Sequence, residues 1–167
     1  MAHRLQTAVG ALVLVVIVVT GLWSCSGKSP VSSIEEPGDY TELNWVGTSV
    51  VYQDAPGKRD ISIIFVMADW CGWCTRMKKE ALSDTTVIQM LGESYNIVYL
   101  NPDMDSLVVC GDSTVTCRVM ARNVLDVRGY PTMIFFSRDG NVLGPAPGYR
   151  TTAAMIDILE RLKDGEY

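Results

Sequence analysis

Ile61-Ser62-Ile63-Ile64-Phe65-Val66-Met67-Ala68-Asp69-Trp70-Cys71-Gly72-Trp73-Cys74 joins an apolar, strand-like run to a pair of cysteines. Residues 61–67 are almost unbroken in β-branched and apolar side chains, the composition of a strand buried on both faces of a sheet. Thr75 to Leu82 has helix-forming composition, so the cysteines fall where a strand ends and a helix starts. Two cysteines at that spacing can close a small disulfide ring. The first sulfur then lies beside unpaired backbone N–H groups and the positive end of the helix dipole, which favour thiolate over thiol at Cys71. That makes Cys71 a nucleophile, and Cys74, inside the first helical turn, is placed to attack the resulting mixed disulfide. A structural disulfide and half of a zinc site compete as readings of the same two residues.

Further along, Ser83-Asp84 interrupts before a second helical stretch ending near Leu91, and Ile97-Val98-Tyr99-Leu100 reads as a second strand. Met133-Ile134-Phe135-Phe136 is a third, joined through Asp139-Gly140 to Asn141-Val142-Leu143 as a hairpin. Met155, Ile156, Leu159 and Leu162 follow helical spacing after an N-cap at Thr151 or Thr152. The order is β-α-β-α-β-β-α. Residues 40–60 are ambiguous: Val50-Val51-Tyr52 favours a strand, and the pattern around Trp45 permits a helix.

Trp70-Cys71-Gly72-Trp73-Cys74 after a buried strand, with Gly129-Tyr130-Pro131-Thr132 before the third strand, resembles the thioredoxin-like family of thiol-disulfide oxidoreductases, from about Asn44 to the C-terminus. The resemblance implies an α/β fold, a central mixed β-sheet flanked by helices, with an insertion before the cis-proline helix. It implies a cis-proline at Pro131, set against the active-site sulfurs and exposing the backbone of Tyr130 to an extended substrate segment. Trp70 is expected to pack beside the site and Trp73 to be exposed for partner contact, so that Trp70, Trp73, Tyr130 and Pro131 bind substrate. No cofactor and no metal are expected.

Several departures bear on function. Phe65 stands six positions before the nucleophile, where family members often bury an acid that helps deprotonate the second cysteine. Gly72-Trp73 contains no histidine, a residue that would stabilise the thiolate and make the disulfide more oxidising, which tilts the reading toward a reductant. The segment Asn101–Val119 is longer than the family's usual connection and carries Cys110 and Cys117. These two have six intervening residues, where zinc ribbons have two to four, and are expected to form a second disulfide closing the insertion. A second redox pair exchanging with Cys71–Cys74 is the alternative. The basic cluster Arg76, Lys78 and Lys79 reads as a solvated helix face, and Asp69 as an exposed turn residue.

Composition narrows the classes. With 167 residues there is room for one core, and the net charge of -5 offers no field for nucleic acid. The single histidine is His3, which removes histidine-dependent hydrolases, proteases and most zinc enzymes. Leu5 to Gly27 carries no charge and includes a wholly apolar run from Ala11 to Val19, the layout of an export signal; an uncleaved membrane anchor competes. Leu22-Trp23-Ser24-Cys25 looks like a bacterial lipobox, with Cys25 the lipidated residue. The expected organisation is a lipoprotein-type signal peptide at 1–24, a Ser-, Pro- and Gly-rich tether at 25–39, and one domain at 40–167. That places the domain in the bacterial cell envelope, on the periplasmic side, lipid-anchored to the membrane. Its expected partners are protein thiols or disulfides of the envelope and a membrane thiol redox protein. A redox-inactive peptide-binding or folding-assistance module is the competing function.

Overall fold

The computed structural model describes residues 39–167; the expected signal peptide, Cys25 and the tether up to residue 38 lie outside the described residues. A short 3₁₀ turn at Tyr40–Glu42 leads to β1 (Trp45–Val46), α1 (Ser49–Tyr52) and β2 (Ile61–Val66). Then follow α2 (Gly72–Lys79), α3 (Thr85–Ser94) and β3 (Tyr95–Leu100). The hairpin β4 (Leu107–Cys110) and β5 (Ser113–Thr116) precedes the single turn α4 (Cys117–Val119) and a π-helical turn at Met120–Val124. The chain closes with β6 (Thr132–Ser137), β7 (Val142–Pro147) and α5 (Thr152–Lys163).

Five strands form a mixed sheet in the order β1-β3-β2-β6-β7. β1 and β2 run parallel to β3, and β6 runs antiparallel to both β2 and β7. β2 occupies the centre, and Ile63, Ile64, Phe65 and Val66 are fully buried, as its unbroken apolar run requires. The pleat divides them. Ile63 and Phe65 join Cys71, Cys74, Met77, Leu91 and Leu159 on one face, while Ile64 and Val66 join Val51, Val98, Cys117, Met120 and Val127 on the other.

Caps set the helix starts. Asp84 accepts from the amides of Thr86 and Val87 at the head of α3, and Thr151 accepts from Ala154 at the head of α5. Gly140 turns the β6–β7 hairpin at φ +80°, and a Cβ there would stand 3.0 Å from the Val51 carbonyl oxygen, so both conformation and space call for glycine.

Two local expectations are reversed. Trp45-Val46 is a strand beside Ile97-Val98, and Val50-Val51-Tyr52 lies in a helical turn. Tertiary packing overrides β propensity there: Val51 is wholly buried under the second face of the sheet. The helix expected before Pro131 is reduced to α4 and the π turn, because the hairpin takes up most of the insertion.

Candidate functional site

Cys71 is the N-cap of α2, with extended backbone (φ −81°, ψ 108°), and its Sγ accepts the Cys74 amide at 3.1 Å. A sulfur thus occupies the place of the usual oxygen cap, beside N–H groups that have no partner inside the helix. Cys71 and Cys74 form a disulfide with Cα atoms 5.2 Å apart, inside the normal range. Cys74 is 1% exposed and Cys71 6%, so an incoming group reaches Cys71 first. The two tryptophans stand out from this covered pair. Trp70 is 71% exposed and Trp73 57%.

Each tryptophan is held by a specific partner. The Trp70 indole N–H donates to Asp103 Oδ2 at 2.6 Å, and its ring meets Tyr130 edge-on at 5.7 Å. The Tyr130–Pro131 bond is cis, and the Pro131 carbonyl accepts the Gly148 amide at 2.7 Å. Trp70 thereby ties the cysteine motif to the proline loop. Trp73 lies against Tyr149 at 5.5 Å, and the Arg76 guanidinium sits 5.6 Å from the Trp73 ring and 5.0 Å from that of Tyr149. Arg76 pairs with Glu80 at 2.9 Å, and Tyr149 donates its hydroxyl hydrogen to the same carboxylate. That hydroxyl and the guanidinium hold Glu80 below the usual carboxylate range.

Phe65 is sealed beneath the site, its ring edge-on to Trp45 at 5.6 Å. The ionisable groups grouped beside the motif are Asp69, Lys78 and Tyr99. Asp69 accepts from Asn101 at 3.0 Å and from the Tyr99 hydroxyl at 3.3 Å; Lys78 donates to Tyr99 at 3.2 Å. Burial, then the Asp69 charge, pushes Tyr99 up to about 12. Lys78 is largely covered, with its ammonium over the rings of Tyr40 and Tyr99, so the basic cluster on α2 is not a uniformly solvated face. Among the described residues no group of three or more His, Cys, Asp or Glu could hold a metal ion.

The second cysteine pair requires a correction. Cys110 and Cys117 are free thiols. Cys110 faces Ser113 at the tip of the hairpin, with Gly111 at φ +60° in the two-residue turn, and Cys117 follows the other end of β5. Cys117 lies four positions beyond Ser113, a span that at about 3.3 Å per strand residue exceeds the ~7 Å Cα reach of a disulfide. What looked like an open loop between the two cysteines is a paired ribbon that holds them apart. Cys117 instead lies 3.2 Å from Ser106 Oγ. The sheet also separates the pairs, because Cys71 and Cys74 belong to one core face and Cys117 to the other.

Sequence reading missed Asp103, Arg118, Arg122, Glu80 and Tyr149. Arg118 and Arg122 are four apart, a helical-face signal available in advance; no spacing brings Tyr149 to Trp73.

A family model described as a thioredoxin-like domain matches residues 49–163. The chain is 27% identical over 136 residues to protein disulfide-isomerase tigA of Aspergillus niger, a match covering 80% of this chain and 33% of that protein. The chain therefore spans about a third of that curated relative's length. Among solved structures, a thioredoxin-fold protein from Helicobacter pylori superposes with a TM-score of 0.61 at 19% identity, covering 74% of this chain and 83% of the other. DsbH oxidoreductase superposes with a TM-score of 0.53 at 17% identity, covering 72% and 85%.

Proposed function

The chain belongs to the thioredoxin-like domain family, and from that premise we propose that it exchanges disulfides with protein cysteines, with Cys71 as nucleophile and Cys74 as resolving cysteine. The observation that carries this reading is the Cys71–Cys74 disulfide at the head of α2, with Cys71 Sγ on the Cys74 amide. A disulfide isomerase among the curated relatives supports the same class of chemistry.

In the reducing direction the Cys71 thiolate attacks one sulfur of a substrate disulfide. The Cys71–substrate S–S bond forms, the substrate S–S bond breaks, and the departing substrate thiolate takes a proton from water. The Cys74 thiolate then attacks Cys71 Sγ, closing the ring and releasing the second substrate thiol. Two electrons pass from the Cys71/Cys74 dithiol to the substrate disulfide. The helix N-terminus favours the thiolate that begins the sequence. Trp73 and Tyr149 form one exposed wall for the polypeptide, and Trp70 and Tyr130 the other.

The absence of histidine between the cysteines supports operation as a reductant. The apolar N-terminal run and the lipobox-like Leu22–Cys25 support attachment through lipid on Cys25, with the domain on the periplasmic side, recharged by a membrane thiol protein. Among the described residues no helix is long and apolar enough to cross a membrane.

Insulin reduction and non-reducing gels on two variants test the assignment. Cys71→Ser should abolish exchange; Cys74→Ser should accumulate covalent complexes, because attack proceeds and resolution does not. Full turnover in Cys71→Ser would overturn it.

A further inference from the structure

Each arginine among the described residues except one has an oxygen partner. Arg59 and Arg150 bond backbone carbonyls; Arg76, Arg118, Arg128, Arg138 and Arg161 pair with carboxylates. Arg122 makes neither an ion pair nor a hydrogen bond. It is exposed, and its guanidinium lies 5.8 Å from the centroid of the Tyr130 ring, on the residue that precedes the cis-proline. In a chain where acids outnumber bases by five, a guanidinium left without any oxygen partner is out of keeping with the other described arginines.

Its neighbours extend the same feature. Arg118, four residues earlier, is 3.5 Å from Asp103, whose other carboxylate oxygen accepts the Trp70 indole N–H. The Trp70 ring in turn meets Tyr130. The insertion and the π-helical turn that follows it thus bring Asp103, Arg118 and Arg122 to the edge of the aromatic pair beside the cysteines. Asp103 is already engaged by Trp70 and Arg118, so the open valence of this edge is cationic. The cation–π contact with Tyr130 holds the guanidinium beside the ring, and its N–H groups have no other acceptor among the described residues.

We propose that Arg122, flanked by Arg118, is a specificity residue that selects partner polypeptides carrying an aspartate or glutamate close to the reacting cysteine. The occupant is an extended polypeptide segment lying past Tyr130, its carboxylate held by the Arg122 guanidinium. This rests on the exchange reading above as regards turnover, and the binding measurement below is independent of it.

The test uses the full chain and cysteine peptides identical except for Glu, Gln or Lys two residues from the cysteine, presented as mixed disulfides. The second-order exchange rate is measured for each, and Kd for the same peptides with Ala in place of Cys by fluorescence anisotropy. An exposed charge pair changes an equilibrium by roughly two- to five-fold. The Glu peptide should exceed the Lys peptide by that factor or more in both measurements, with the ratio falling toward one in half-molar salt. Arg122→Met should bring the ratio close to one and Arg122→Glu should invert it, while Arg161→Met, on a remote helix, should keep it. Equal rates and affinities for the Glu and Lys peptides, or a ratio unchanged in Arg122→Met, would overturn the proposal. Glu-selective binding without exchange on any peptide would sustain the role of Arg122 and count against the redox reading.

Discussion

Comparing the unfolding of the oxidised and reduced protein measures the direction of electron flow. The Cys71–Cys74 ring closes four residues, and in the chain-entropy model such a closure removes about 2 kcal/mol from the unfolded state. Thiolate stabilisation at the head of α2 acts in the opposite sense, favouring the reduced folded form. A helix N-terminus supplies roughly 0.3–1 kcal/mol, and near neutral pH part of that is spent in deprotonating the thiol. The oxidised protein should therefore be the more stable by about 1–2 kcal/mol. By the thermodynamic cycle, the folded chain holds its disulfide more tightly than the unfolded chain by the same amount. Since 30 mV corresponds to about 1.4 kcal/mol for a two-electron couple, folding makes the couple roughly 20–40 mV more reducing. Urea unfolding of both forms, with Cys71→Ser as a non-cyclising control, gives the difference directly. A reduced form more stable than the oxidised one would refute the reasoning and make the protein an oxidant.

Other outcomes follow from single features. Peptide mapping without reduction should recover Cys110 and Cys117 as separate thiols, Cys110 reacting with a small alkylating agent in the native state and Cys117 only on unfolding; a Cys110–Cys117 disulfide would mean that the β4–β5 register is wrong. Tyr52, Tyr95 and Tyr99 are raised from about 10 to about 12, in each case chiefly by burial. Their contribution to stability is fully present below pH 10 and is lost as the pH rises toward 12, so unfolding midpoints should fall across that window; tyrosinate absorbance of all seven tyrosines completed in one transition near pH 10 would contradict the burial. Cys25→Ala should release the protein from membranes; retention with an uncleaved N-terminus would make the apolar segment the anchor.

The site was legible because its chemistry is local. Two cysteines three apart, at the junction of a β-branched run and a helix, fix a sulfur at a helix N-terminus before any tertiary contact is considered. The sheet was legible for a related reason: β2 and β6 are so uniformly apolar that they tolerate only a central position. What stayed hidden depends on partners distant in sequence. Val50-Val51-Tyr52 has strand-forming side chains, but its place under the second sheet face is decided by Ile64, Phe136 and the rest of that cluster. The β4–β5 ribbon escaped notice because Gly111-Asp112 reads equally as a loose loop or a tight turn until Leu107 finds Thr116. The Asp103 contact to Trp70 joins residues 33 positions apart, and no pattern along the chain announces it.

The outer strand of the sheet carries one more implication. Gly148 turns its N–H inward to Pro131, and strand alternation then turns positions 145 and 147 outward, where Pro145 and Pro147 have no N–H to offer. The opposite border, β1, is only two residues long. Under the proposed exchange function the protein's partners would be extended polypeptides, the chains best able to add themselves to a sheet. With two of its outward donors removed from one border and the other border too short to template a neighbour, the sheet would let such a chain be held at the cysteines with little tendency to add along its flanks.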